Sequence, residues 1–317
     1  MNNQSNITDA EWQIMRMIWA GNETKSADII AYLGNSKGWS PTTIKTLLAR
    51  LVKKNVISFN LQDRTRLYYP LFTEMECVRN EMSNVIKRLY GGIVNHHTEH
   101  FTFYGHNDPD YISLLASTLE HDYQMILNIL GMAKVEKIMV YTHETKLHLH
   151  SALGIQNGPE WLRAGWAWGI LHIAPKECFD DIKPERAAVH IFSQIAIHRL
   201  NPGTPYWLMQ GYSAYLSKWL NTDRIRKAVI EQLSSQPQIS LDDIGSDFEK
   251  FRDNNGYELA YTRVQFIILE YGAGHMSLFI KNPHDFEGIF NCTKERFQKN
   301  WIRFLHKKYM RGIEYEN

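Results

Sequence analysis

Apolar residues recur at helical spacing at Trp12, Met15, Ile18 and Trp19. The run opens on Ile7-Thr8-Asp9-Ala10-Glu11, where Thr8 suits an N-cap and Glu11 the third helical position of a capping box. Ile7 and Trp12 are spaced to close over it as a hydrophobic staple, and Gly21-Asn22 predicts the end. A second, short helix is expected over 26–33, with Ile29, Ile30 and Leu33 on one face and a stop at Gly34. The third begins at Ser40-Pro41, an N-cap followed by a proline whose missing N–H costs nothing there, and buries Ile44, Leu47, Leu48 and Leu51. Two β-prone runs, 56–61 and 65–71, joined through Gln62-Asp63-Arg64, read as a hairpin, and a further helix is expected over 73–90.

Beyond Gly91-Gly92 the pattern changes. The stretch 93–108 is polar, carries His96, His97, His100 and His106, and reads as a histidine-rich linker. Asp108-Pro109 then starts a long helix with Ile112, Leu115, Leu119, Ile126 and Leu130 on one side and Gly131 at its end. A strand over 137–141, a helix over 144–153 and a strand over 169–174 come next. Helical patterns at 185–200, 205–219, 257–271 and 294–309 dominate the remainder. The expected fold class is mostly α with small β: an N-terminal winged helix-turn-helix over 1–92, the linker 93–108, and a C-terminal α+β domain over 109–317.

Composition sharpens this picture at three points. A length of 317 residues with 44% hydrophobic and 22% charged residues is that of an ordinary globular chain of about two domains. No apolar run is long enough to span a membrane, and the first residues lack a signal-peptide pattern, so the expected location is the cytoplasm. Cys77, Cys178 and Cys292 are isolated, which predicts neither disulfides nor a cysteine metal site. The net charge of +1 hides an asymmetry. Residues 1–92 hold 12 Lys and Arg against 8 Asp and Glu, leaving −3 for the rest, and 40–72 hold six basic residues against Asp63 alone. Positive charge is concentrated where a polyanion would dock.

The polar face of the third helix carries Thr42, Thr43, Lys45 and Thr46 on its first turns and Arg50, Lys53 and Lys54 later, with Arg64 and Arg66 on the hairpin. Hydroxyls and one lysine at the N-terminal end suit base edges in a major groove, and the later cations suit phosphates. Ile7-Thr8-Asp9-Ala10-Glu11-Trp12, the run from Trp39 to Leu47, Arg50-Leu51-Val52-Lys53-Lys54 and Tyr68-Tyr69 together resemble the penicillinase-repressor and methicillin-resistance-repressor family over about 7–92. That resemblance implies a homodimer on a palindromic operator in double-stranded DNA. It gives no cleavage-based induction here, because the similarity of these motifs ends at Gly92.

The C-terminal pattern is similar to that of thermolysin-like gluzincin zinc peptidases over about 110–310. In those enzymes a strand like Gly169-Ile170-Leu171-His172-Ile173-Ala174 precedes a helix with His-Glu-x-x-His, and a later helix supplies a glutamate. Here the corresponding positions read His190-Ile191-Phe192-Ser193-Gln194, with Gln210 in the third ligand's place. Ile191 cannot act as a general base and neutral amides are poor zinc ligands, so the resemblance implies a degenerate peptidase with no catalytic residues, metal or cofactor. His172, His190, Gln194 and Gln210 are expected to line a cleft for a small-molecule or peptide effector. Two other roles compete with sensing: a pure dimerisation or interaction module, and a divergent metallopeptidase using His190 with His172 or His198.

Overall fold

The computed structural model describes residues 7–21, 23–62, 65–74, 76–78, 81, 94–106, 108–156, 158–235, 240–244 and 247–310. The chain is mostly helical with some strands and divides into two compact units, Met1–Ile93 and Val94–Asn317.

In the first unit, helix α1 (Asp9–Gly21) carries the expected capping box. The Thr8 N–H donates to Glu11 Oε2 at 2.8 Å and the Glu11 N–H to Thr8 Oγ1 at 3.4 Å. Strand β1 (Thr24–Lys25) leads into α2 (Ser26–Lys37), and α3 spans Pro41–Lys53 with the Ser40 hydroxyl accepting from the Thr43 N–H at 3.1 Å. Helix α2 runs a turn past the expected stop at Gly34. It ends at Gly38, which takes the left-handed conformation (φ 68°) and returns its N–H to the Gly34 carbonyl. Strands β2 (Ile57–Gln62) and β3 (Thr65–Pro70) form the antiparallel hairpin, and β1 adds to β3, giving the order β1-β3-β2. Ile14, Ile18, Ile29, Ile44, Leu48 and Leu51 close the core between the three helices. The hairpin tip at Asp63-Arg64 and most of the expected helix over 73–90 lie outside the described residues.

The second unit corrects the linker. Residues of 93–108 fold into β4 (Val94–His97) and β5 (Phe101–Gly105), the first two strands of a five-stranded sheet in the order β4-β5-β6-β8-β7. Polar composition misled because, among the described residues of this stretch, Phe101 and Phe103 alone join the hydrophobic core. Alternation hides the strand's apolar side among the histidines. His100 is tied down by Glu120, which accepts its backbone N–H at 2.7 Å and sits 2.6 Å from its Nδ1.

Helix α4 (Pro109–Leu130), capped by Asp108 and ended by left-handed Gly131, matches its expected span. It is followed by β6 (Ile138–Thr142), α5 (Lys146–Ala152), β7 (Ala164–Ala167) and β8 (Ile170–Ile173). β5, β6 and β8 run parallel, while β7 turns back on β8 as an antiparallel edge. Helices α6 (Pro184–Leu200), α7 (Tyr206–Ser217), α8 (Thr222–Ser235), α9 (Leu241–Ile244), α10 (Phe248–Asp253), α11 (Gly256–Tyr271), α12 (Gly274–Lys281), α13 (Phe286–Phe290) and α14 (Lys294–Leu305) complete the unit. Every residue from Ala188 to Ile197 is buried, so α6 is the central helix, covered on all sides. α7 packs against both α6 and α11, and the approach to α11 is close: a Cβ on Gly211 would lie 2.5 Å from the Ala260 carbonyl oxygen.

Candidate functional site

On α3 the apolar stripe of Ile44, Leu47, Leu48 and Leu51 is buried, while Thr42, Thr43, Lys45, Thr46, Arg50 and Lys53 are all exposed. Two of the hydroxyls are held locally. Thr43 Oγ1 lies 2.9 Å from Ser40 Oγ, and Thr46 Oγ1 donates to the Thr42 carbonyl at 2.9 Å. Arg66 extends from β3 with its guanidinium 4.5 Å from the Phe59 ring centre. A shallow cleft between α2, α3 and the hairpin is lined by Ser26, Lys45, Thr65 and Arg66, which brings one helix cation and one hairpin cation onto the same surface. Arg64 falls outside the described residues.

Lys54 departs from expectation. Its ammonium donates to Glu11 Oε2 at 2.6 Å, and Glu11 is only 1% exposed. Burial alone would raise the Glu11 pKa, but hydrogen bonds from Lys54 and Thr8 outweigh it and the carboxyl titrates below its ordinary value. Lys54 thus pins the end of α3 to the start of α1 and is not displayed as a surface cation beside Lys53.

In the second unit a cavity of about 450 Å³ opens between β7, α6, α7 and α11. His190 and Gln194, one turn apart on α6, meet Gln210 of α7 at its floor. Gln194 Nε2 stands 2.8 Å from both His190 Nε2 and Gln210 Oε1, and Gln194 Oε1 accepts from Trp166 Nε1 at 3.1 Å. One amide therefore donates both its hydrogens, to the imidazole and to its fellow amide. His190 Nε2 is then an acceptor 3.2 Å from another acceptor, Gln210 Oε1, and the ring proton sits on Nδ1, toward the Ser213 backbone. Burial pushes the His190 pKa down to about 4, against opposing contributions from the Gln210 side chain and the Ser213 backbone.

This donor set does not fit a resident metal. One imidazole and two amides provide no anionic ligand, the Gln194 amide occupies the space between the other two, and no group of three or more His, Cys, Asp or Glu able to hold an ion occurs among the described residues.

His172 is not in the cavity. Strand alternation sends Leu171 and Ile173 into the core and His172 to the opposite face of the sheet. There its Nδ1 lies 3.1 Å from His143 Nε2 and the rings stack, with burial holding the two pKa values near 4 and 3. His198 packs on Trp166 and does not line the cavity either.

Several cavity residues escaped sequence reading: Trp161, Arg163, Trp166, Trp219, Arg224 and Arg252. They come from loops, the edge strand and two separate helices, and their spacing carries no period that would group them. Arg163 is paired with Asp181, and Arg224 Nε donates to the buried Glu258 at 2.5 Å.

The first unit combines three helices, a hairpin and a polar α3 face, and sequence comparison relates it to known proteins. The penicillinase repressor family profile matches residues 7–121, reaching past Gly92 into α4. The penicillinase repressor of Bacillus licheniformis is 32% identical over 89 residues, 28% of this chain and 70% of that protein. The methicillin resistance regulatory protein MecI of Staphylococcus aureus is 35% identical over 89 residues, 28% of this chain and 72% of its own length. The solved DNA-binding domain of the repressor BlaI is 34% identical, covers 23% of this chain and 90% of that one, and superposes with a TM-score of 0.22. The chain belongs to the penicillinase repressor family. No helix among the described residues is long and apolar enough to cross a membrane.

Proposed function

We propose that the protein is a DNA-binding transcriptional repressor whose second unit is a ligand sensor. The observation that carries the DNA-binding half is the segregation on α3: its apolar stripe is sealed in the core while Thr42, Thr43, Lys45, Thr46, Arg50 and Lys53 share the solvent face. In this reading the first unit is a winged helix. α3 enters the major groove, Lys45 and the threonines meet base edges, Arg50 and Lys53 meet phosphates, and Arg66 lies along the backbone as the wing, joined by Arg64. Two copies bind a palindromic operator as a homodimer. The names of two relatives, a penicillinase repressor and the repressor BlaI, agree with this.

The sensor half rests on the cavity. His190, Gln194 and Gln210, read from sequence as the relics of a zinc site, do converge, in support of a degenerate gluzincin-like origin, and they floor a pocket of ligand size. An effector there regulates DNA binding only by binding the operator-competent and operator-incompetent states unequally.

The test of the DNA-binding half is operator binding by full-length variants on the DNA that the protein protects in the cell. Lys45→Ala should relax sequence preference. Lys53→Ala should weaken binding to every sequence and flatten the salt dependence by about one unit of slope. Unchanged operator affinity in both, and in Arg50→Ala, would remove α3 as the recognition helix.

A further inference from the structure

The cavity's charges balance, but its hydrogen bonds do not. Arg163, Arg224 and Arg252 line it, and each already holds one carboxylate: Asp181, Glu258 and Asp253. A guanidinium has five N–H donors, and one carboxylate takes only one or two. Arg224 is fixed through Nε by Glu258 and braced 5.5 Å from the Trp219 ring centre, which leaves its two terminal nitrogens without a hydrogen-bond partner among the described residues. The buried polar atoms of the lining that lack partners are nitrogens throughout: Trp161 Nε1, Arg163 Nε and Trp219 Nε1. Among these lining atoms there is no unpartnered acceptor. Buried donors without acceptors are costly, and a ligand that brings acceptors recovers that cost on binding.

The rest of the lining is apolar and aromatic, including Trp166, Phe179, Met209 and Phe248. The complement of such a site has an apolar frame and an oxyanion at one end. We infer that the cavity binds an apolar monocarboxylate, an aryl or alkyl acid, with its carboxylate on the Arg224 fork beside Arg163 and its frame against the tryptophans. This rests on the sensor reading above and adds the chemical class of the effector. Arginine is the residue suited to it, because its planar fork accepts both carboxylate oxygens at once.

The experiment uses the full-length protein and three probes of one shape: phenylhexanoate, phenylhexanamide and phenylhexylamine. Binding is read by calorimetry and by quenching of tryptophan fluorescence, since Trp161, Trp166 and Trp219 all line the cavity. The acid should bind at least tenfold tighter than the amide, and the amine weakest. Arg224→Gln should abolish the preference for acid over amide, whereas Arg226→Gln, an exposed arginine on the same helix outside the cavity, should keep it. Because Arg224→Gln strands the buried Glu258, the paired variant Arg224→Gln/Glu258→Gln is measured beside it and should show the same loss.

Equal binding of acid and amide, tighter binding of the amine, no binding of any probe, or acid preference intact in the paired variant each overturns the proposal. Operator affinity in the same samples separates the two layers. Acid-selective binding that leaves operator affinity unchanged upholds the ligand class and overturns the sensor role. An operator response to the amine and not to the acid overturns the ligand class and upholds the sensor role.

Discussion

Lys53 and Lys54 are neighbours in the chain with opposite roles in the fold. Lys53 is exposed on the polar face of α3, whereas Lys54 is drawn onto a carboxylate with 1% exposure at the start of α1. Lys54→Ala should therefore act on stability, leaving Glu11 buried with only its Thr8 hydrogen bonds, at a cost of about 1–3 kcal/mol. Urea unfolding of the full chain reads this, and its salt dependence of DNA binding should stay close to that of the parent. Glu11 also sets a pH effect: because its folded pKa is depressed, its contribution is present above the ordinary carboxylate range and is lost as pH falls through the folded value. The same contrast of neighbours explains His172. It sits one residue from two core positions, and a period of two sends it to the other face of the sheet, so that proximity in sequence to a cleft strand did not place it in the cleft.

At the scale of elements, local signals were reliable and close packing was not readable. The caps Thr8, Ser40 and Asp108 were legible because a short polar side chain, a proline and an apolar period act within one turn of each other. Gly34 was misread as a stop because a glycine inside a helix and a glycine that ends one look alike in sequence. Only the left-handed φ of Gly38 and its bond to Gly34 decide between them. β7 escaped for a similar reason: Ala164-Gly165-Trp166-Ala167 has no alternation, and it becomes a strand by pairing with β8. Gly211 is the element-scale counterpart of a cap. Gly211→Ala should force α7 off α11, because the new methyl would meet the Ala260 carbonyl, which is backbone and cannot swing away. A loss of about 1–3 kcal/mol is expected, with altered emission from the tryptophans around the adjacent Gln210. Parent-like melting and emission would show that the helices have room to part.

For the whole molecule, the second unit keeps three histidines deprotonated by burial, with pKa values of about 3 for His143 and about 4 for His172 and His190, against an ordinary 6.5. Between pH 6.5 and about 4 the unfolded chain binds protons that the folded chain refuses. Stability must then fall as pH drops through that window, and it has no such dependence above it. The effect is on the order of 3–5 kcal/mol for each histidine once pH falls below its folded value. Melting of the full chain at stepped pH should show the decline, and His190→Gln should reduce its slope; a pH-independent melt over that window would contradict the burial of these rings.

The three helices and the hairpin of the first unit, its basic α3 face and the family it belongs to were determined by the sequence alone. Caps, amphipathic stripes and charge clusters are one-dimensional patterns that the chain carries locally. The sequence also marked His190, Gln194 and Gln210, through the resemblance of their flanking segments to zinc-peptidase motifs. The tertiary structure alone decided that residues of 93–108 belong to a sheet, that Lys54 pairs with Glu11, that His172 faces away, and that arginines and tryptophans from separate elements surround one cavity. Each of these depends on which strand face or helix face meets which neighbour. That is settled by packing between residues distant in the chain, where no local period exists to be read.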